Sequence, residues 1–150
     1  MDLKEKIINI MDTHGLVRIA TISLEGLPKV RSVDFARDKE NLDFYFMTFK
    51  NTDKVKELEA NNNVYITIDK DAKDMLELSQ IKYRKGNGKA MLLDNPEEIK
   101  KAMGLILEKY PYLKDLPGDP SMMNFYKVKL DKIYITDNSV KFGHVDIYEN

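Results

Sequence analysis

The sequence predicts a mainly β, α+β chain whose six or seven antiparallel strands curl into a small barrel with helices on its periphery. Three observations carry this. Short runs rich in β-branched and aromatic residues recur along the chain, turn residues separate them at hairpin distances, and only two longer helical stripes and one short one interrupt them. Closure also removes the exposed edges that so many strands would otherwise present. The length of 150 residues suits a single domain, residues 1–150.

Leu3, Ile7, Ile8 and Met11 share one helical face, and Gly15 follows where a left-handed C-terminal cap is expected. Leu16 to Ser23 is β-rich, Glu25-Gly26 turns the chain, and Pro28 to Ala36 completes a hairpin. Leu42 to Phe49 carries four aromatics and reads as a central strand. Thr52 is positioned to cap a short helix, Asp53 to Asn61, which Asn61-Asn62-Asn63 breaks before Val64 to Ile68 resumes β structure. The charged connection Asp69 to Asp74 leads into Leu76 to Leu93, one long strand or two strands bent where Gly86 and Gly88 remove side chains.

Asn95, Pro96 and Glu98 form a helix start of N-cap, first-turn proline and third-position glutamate, and Ile99, Met103, Ile106, Leu107 and Tyr110 continue it as an apolar stripe. Pro111 to Pro120 holds three of the five prolines and reads as an irregular surface loop. Two closing strands, about Phe125 to Thr136 and Val140 to Tyr148, turn around Asp137-Asn138.

Composition narrows the function. Lys and Arg number 24 against 25 Asp and Glu, so there is no broad positive field to draw in nucleic acid or an anionic membrane. With no cysteine there is no thiolate metal site and no cysteine nucleophile. No apolar run approaches the ~20 residues of a bilayer span, and the reading is of a cytoplasmic chain. His14 and His144 have no serine-centred nucleophile motif near them, Gly86-Asn87-Gly88-Lys89 lacks the spacing of a nucleotide loop, and Asp69 to Lys73 shows no metal-ligand pattern. No catalytic histidine and no metal site are assigned.

The informative stretch joins Lys29-Val30-Arg31-Ser32-Val33-Asp34-Phe35 to Phe46-Met47-Thr48-Phe49-Lys50-Asn51-Thr52-Asp53-Lys54. A symmetric hairpin near Lys39 would bring Arg31 close to Met47 or Thr48, a register sensitive to a one-residue slip. At that end Thr48 and Thr52 offer hydroxyls, a helix offers free amides, and Lys54 lies in its first turn, where a cation opposes the helix dipole unless an anion neutralises it. A phosphate site is one reading. The other has Thr52 as an ordinary cap, Lys54 as a solvated lysine, and Arg31 paired with Asp34 or Glu57. Both stand open on local chemistry.

On those residues, together with Val55, Leu58, the Asn61-Asn62-Asn63-Val64 break and Gly88-Lys89-Ala90, the chain resembles the pyridoxamine 5'-phosphate oxidase-like FMN-binding split-barrel family from its first helix through its last strands. The resemblance implies that Arg31 and Lys54 neutralise the FMN phosphate and that Thr48 and Thr52 donate to it or to the ribityl chain. Backbone around Ser32 and Val33 would meet the ring edge, beside Met47. It implies a homodimer with each flavin in a shared groove, and Tyr83, Arg84 and the Phe142-Gly143-His144 segment as contacts from the second subunit. The implied activity is that of an FMN-dependent oxidoreductase acting on a small molecule, with NADH or NADPH as donor. The alternative is a non-catalytic protein that binds or stores flavin, deazaflavin or haem. Two departures matter. With no Trp and little chain after His144, the substrate segment of true pyridoxamine-phosphate oxidases is missing, and Met47 stands where nitroimidazole-resistance relatives carry histidine.

Overall fold

Period-two burial organises the sheet. In the computed structural model, which describes residues 1–150, β1 (Leu16–Ile22) and β2 (Pro28–Asp34) pair as an antiparallel hairpin, with Leu16 opposite Asp34 and Ile22 opposite Pro28. Gly26, at φ 82°, supplies the turn conformation that a side chain would strain. The remaining strands are β3 (Ala36–Arg37), β4 (Phe44–Phe49), β5 (Asn63–Ile68), β6 (Lys82–Leu92), β7 (Met123–Asp137) and β8 (Val145–Glu149). Their order across the sheet is β2-β1-β5-β6-β7-β4-β3, with β8 added to β7.

That order explains why the barrel is split. β2 and β3 sit at opposite ends of the sheet yet are consecutive in the chain, so the curled sheet closes through the backbone at Phe35 instead of through a ladder between its edges. Tyr110 pins this joint. Its hydroxyl lies 2.5 Å from the Gly15 carbonyl and 2.6 Å from that of Phe35, and accepts from the Phe35 N–H at 3.2 Å. If β2 and β3 are counted as one bent strand, the predicted number of strands is met.

Twenty buried residues, among them Ile19, Phe35, Phe44, Phe46, Ile66, Val128 and Ile133, fill the barrel. Alternation along β4 sends Phe44 and Phe46 into that core, and Tyr45 into a second one against α4 (Pro96–Lys109), with Ala102, Ile106 and Phe125. Asn95 caps α4, accepting from the N–H groups of Glu97 and Glu98 at 2.9 and 3.3 Å. Beside it, buried Asp38 accepts from the Tyr45 hydroxyl at 2.8 Å and from Lys101 at 2.9 Å, tying α4 to the sheet.

At the other end α1 (Leu3–Thr13) starts in a reciprocal capping box between Asp2 and Glu5 and buries Ile7, Ile10 and Met11. The left-handed cap expected at Gly15 is absent. The helix ends with His14 extended, because the chain runs straight into β1 and Tyr110 takes the Gly15 carbonyl.

Three further boundaries differ from the sequence expectation. Leu76 is not in a strand: Met75–Leu78 is a single turn, α3, whose start is capped by the Asp74 carboxylate accepting from the Glu77 N–H at 2.8 Å. The last strand begins at Val145, since the Asp137 carboxylate takes Ser139 and the Asn138 side chain takes the Gly143 N–H, which folds 138–144 into a wide turn. The proline-rich loop carries two short 3₁₀ turns, Pro111–Asp115 and Pro120–Met122. The bend expected at the glycines of β6 is present as a register shift between Asn87 and Gly88. A Cβ on Gly86 or Gly88 would lie 2.3 or 2.0 Å from a β7 carbonyl oxygen, so close packing of two backbones requires both glycines. None of the helices is long and apolar enough to cross a membrane.

Candidate functional site

The end of β4 and the start of α2 (Asp53–Ala60) bring Thr48, Thr52 and Lys54 together. The Lys54 ammonium donates to Thr48 Oγ1 at 2.9 Å, and the two threonine hydroxyl oxygens lie 3.4 Å apart. Thr52 occupies the N-cap position but does not cap. Its hydroxyl donates back to the Phe49 carbonyl at 3.1 Å, so the helix amides receive no side-chain acceptor. This corrects the expectation of an ordinary threonine cap. Lys54 forms no ion pair, and burial first, then the nearby Arg31 charge, holds its pKa below the ordinary lysine value, with Glu57 opposing.

Arg31 reaches this region by another route than predicted. Its backbone pairs with Ile19, because β2 joins β1 and leaves β4 to β3 and β7; the hairpin that would set it opposite Met47 or Thr48 ends at Ala36–Tyr45. Its guanidinium donates to Glu57 Oε1 at 2.8 Å and to Thr21 Oγ1 at 3.0 Å. Thr21 also donates to Glu57, at 2.8 Å, and Lys29 approaches the other carboxylate oxygen at 2.9 Å. Burial alone would raise the Glu57 pKa; hydrogen bonds from Lys29, Arg31 and Thr21 and the Arg31 charge outweigh it and bring the value down to about 2. Lys29, Arg31 and Lys54 thus lie around one buried carboxylate, Glu57, with the exposed Asp53 3.9 Å from Lys29, and the three cations outnumber the two carboxylates. Of the sequence readings, the pairing of Arg31 with Glu57 is therefore observed, alongside a lysine that no carboxylate satisfies.

Val33 and Met47 border the cradle. Together with Thr48, Asp34, Phe49, Ile106 and residues of the proline-rich segment, they line a hollow of about 180 Å³. Ser32 points outward and is exposed. The residues assigned to a second subunit lie elsewhere in this chain. Tyr83 is half-buried on β6 opposite Thr136, and Phe142 is 57% exposed on the wide turn. Arg84 is a correction: it is 0% exposed inside the barrel, donating to the Met11 sulfur, and burial lowers its pKa to about 9. It faces inward with Gly86, Gly88 and Ala90 on the core side of β6, so no surface contact is open to it.

Thr21 escaped the sequence reading, and Lys29 lay inside the informative stretch without an assigned role. The β1–β2 register could have found Thr21: pairing Arg31 with Ile19 puts Thr21 two residues away on the same face. His144 meets only Asp146, at 3.0 Å, and no group of three or more His, Asp or Glu side chains converges in a metal-binding arrangement.

Known proteins share this fold. Residues 3–137 match the family model described as pyridoxamine 5'-phosphate oxidase. General stress protein 26 of Bacillus subtilis (strain 168) is 31% identical over 117 residues, 78% of this chain and 79% of its own. The fold is similar to that of a haem binding protein from Mycobacterium smegmatis, with a TM-score of 0.81 at 15% identity, covering 99% of this chain and 58% of that one. It is also similar to HutZ, the haem storage protein from Vibrio cholerae, with a TM-score of 0.69 at 17% identity, covering 87% of this chain and 91% of that one. A split β barrel whose β4–α2 turn gathers Thr48, Thr52 and Lys54, matched over most of its length by one family model, belongs to the pyridoxamine 5'-phosphate oxidase family.

Proposed function

We propose that this chain is an FMN-dependent oxidoreductase that acts on a small molecule and holds the cofactor phosphate in the cradle of Thr48, Thr52, Lys54 and Arg31. The observation that carries the reading is Lys54, a half-buried ammonium whose side chain donates only to the Thr48 hydroxyl. An isolated, partly desolvated cation is costly, and a phosphate dianion offsets that cost through charge-assisted hydrogen bonds. The residues present fit such a group: two hydroxyls, an ammonium and a guanidinium converge, and the helix amides beside them lack side-chain acceptors. FMN, when bound, supplies hydride and electron transfer. The chain contributes position and access. Lys54 and the threonines hold the phosphate end, Glu57 keeps Arg31 and Lys29 aimed at the same corner, and Val33 and Met47 form the apolar wall next to it.

We place the chain in a homodimer whose groove above the cradle is completed by a second copy. Exposed apolar side chains on the outer face of the sheet, Val30 and Tyr65 among them, support that reading. A second functional reading, binding or storage of flavin or haem without turnover, is favoured by the haem-binding and haem-storage neighbours that share the fold. Titration with FMN, riboflavin and haem, followed by visible absorbance and calorimetry, tests both readings. FMN is expected to bind at least tenfold more tightly than riboflavin, and NADH or NADPH is expected to bleach the oxidised flavin band anaerobically. Equal affinity for riboflavin overturns the phosphate cradle. FMN binding without reduction by either nicotinamide or by a wider set of donors turns the reading to storage, and haem binding in preference to FMN turns it to haem.

A further inference from the structure

Next to the cradle, and on the opposite side of β4 from the barrel core, lies a groove of about 200 Å³ that the binding of a phosphate does not use. Its walls are Met47 and Phe49 from β4, Met103 and Leu107 from α4, and Met123 and Phe125 from β7. The alternation of β4 explains its chemistry: Thr48 turns to Lys54 while its neighbours Met47 and Phe49 turn the other way, so polar anchor and apolar wall are built from three consecutive residues. The groove adjoins the cradle, since the smaller hollow that reaches Thr48 and Val33 shares Met47, Phe49 and Met123 with it.

We propose that this groove is the substrate pocket, and that its ligand is an uncharged, flat aromatic molecule of one or two rings. The proposal rests on the FMN reading for its catalytic meaning, though not for binding itself. Three features select the ligand. The six wall residues above present neither a charge nor a hydroxyl, so an ionised ligand would shed its hydration without gaining a partner. The two charged residues that also line the groove, Lys114 and Asp119, are of opposite sign and both exposed, giving no net attraction for an ion. Three methionine thioethers and two phenyl rings give a flat aromatic molecule sulfur and edge contacts on several sides, and methionine adapts its shape to different ring outlines.

The test is a fluorescence titration of the purified chain, with and without FMN, using 2-methoxynaphthalene as the neutral probe and 2-naphthoate as the same ring system carrying a charge. Saturable binding of the neutral probe, at least tenfold tighter than 2-naphthoate, is expected. Met103→Glu, at a half-buried position of α4 packed against the second core, is expected to weaken the neutral probe at least tenfold, while Met103→Leu retains it; both variants are expected to keep FMN affinity and a cooperative unfolding transition, with Met103→Glu melting lower than the parent. Non-saturable binding, equal affinity for 2-naphthoate, or no loss in a folded Met103→Glu variant overturns the proposal. A chain that binds the neutral probe but not FMN keeps the pocket and refutes the cofactor reading. One that binds FMN but not the probe does the reverse.

Discussion

Arg31 and Glu57 are joined by a 2.8 Å charge-assisted hydrogen bond, and the carboxylate is only 3% exposed. The arginine that borders the cradle is therefore already held by an anion, whereas Lys54 is not. Arg31 acts with a charge partly spent on Glu57, and Lys54 acts with its whole charge.

This difference orders two substitutions. Lys54→Ala is expected to weaken FMN binding by about 1.5–3 kcal/mol, and Arg31→Ala by less, because removing the guanidinium leaves Glu57 with Lys29 and Thr21. Calorimetric titration of both variants against FMN and riboflavin checks it. An Arg31→Ala loss equal to or larger than that of Lys54→Ala would show that the Glu57 pairing does not persist when phosphate binds.

Acid sensitivity follows from the same pair. Glu57 has a folded pKa of about 2 against an ordinary 4.5, and Asp137, held by Lys6 and Ser139 against its burial, about 2 against 3.8. The unfolded chain takes up these protons first, so stability present above pH 4.5 is lost as pH falls from there towards 2. Urea midpoints at pH 5 and pH 3 are expected to drop for the parent and to drop less for Glu57→Gln. An equal drop would remove Glu57 as a source of the effect.

Two glycines separate backbone crowding from backbone freedom. Gly88→Ala forces a Cβ to within 2.0 Å of the Lys129 carbonyl oxygen and is expected to cost about 3 kcal/mol or more. Gly104 sits within α4 with nothing near its added Cβ, so Gly104→Ala is expected to stabilise by about 0.5–1 kcal/mol. Thermal and urea unfolding should move in opposite directions for the two variants, and a shared sign would contradict the β6–β7 packing.

Arg84 is fully buried and its Nε and Nη2 atoms have no partner. A buried guanidinium without an anion opposes folding, so Arg84→Met is expected to raise stability by about 1–2 kcal/mol. A cooperative unfolding curve shifted to lower denaturant would instead mean that the arginine is matched by interactions other than the Met11 sulfur.

The dimer proposal has its own measurement. Sedimentation equilibrium at micromolar protein is expected to give about twice 17.4 kDa. A monomeric mass for a chain that holds FMN tightly would dismiss a shared groove.

What the amino-acid order determined by itself is whatever depends on near neighbours. Asn95 and Pro96 begin α4, Glu25-Gly26 turns the first hairpin, and the glycines of β6 coincide with its bulge, because each feature is settled by dihedral preference or a hydrogen bond within a few residues. The gathering of Thr48, Thr52 and Lys54 was legible for the same reason, being confined to seven residues of one turn. Tertiary structure decided what lies on the other side of the first hairpin. The split at Phe35 leaves β2 at a sheet edge and gives β4 to β3 and β7, so Arg31 meets Glu57 and Thr21 and does not stand opposite Met47 or Thr48. It also decided that Arg84 would be enclosed. Local chemistry puts an arginine at a surface, but the strand pleat gives alternate residues no option, and Arg84 shares the inner face of β6 with Gly86, Gly88 and Ala90, where α1 closes over it.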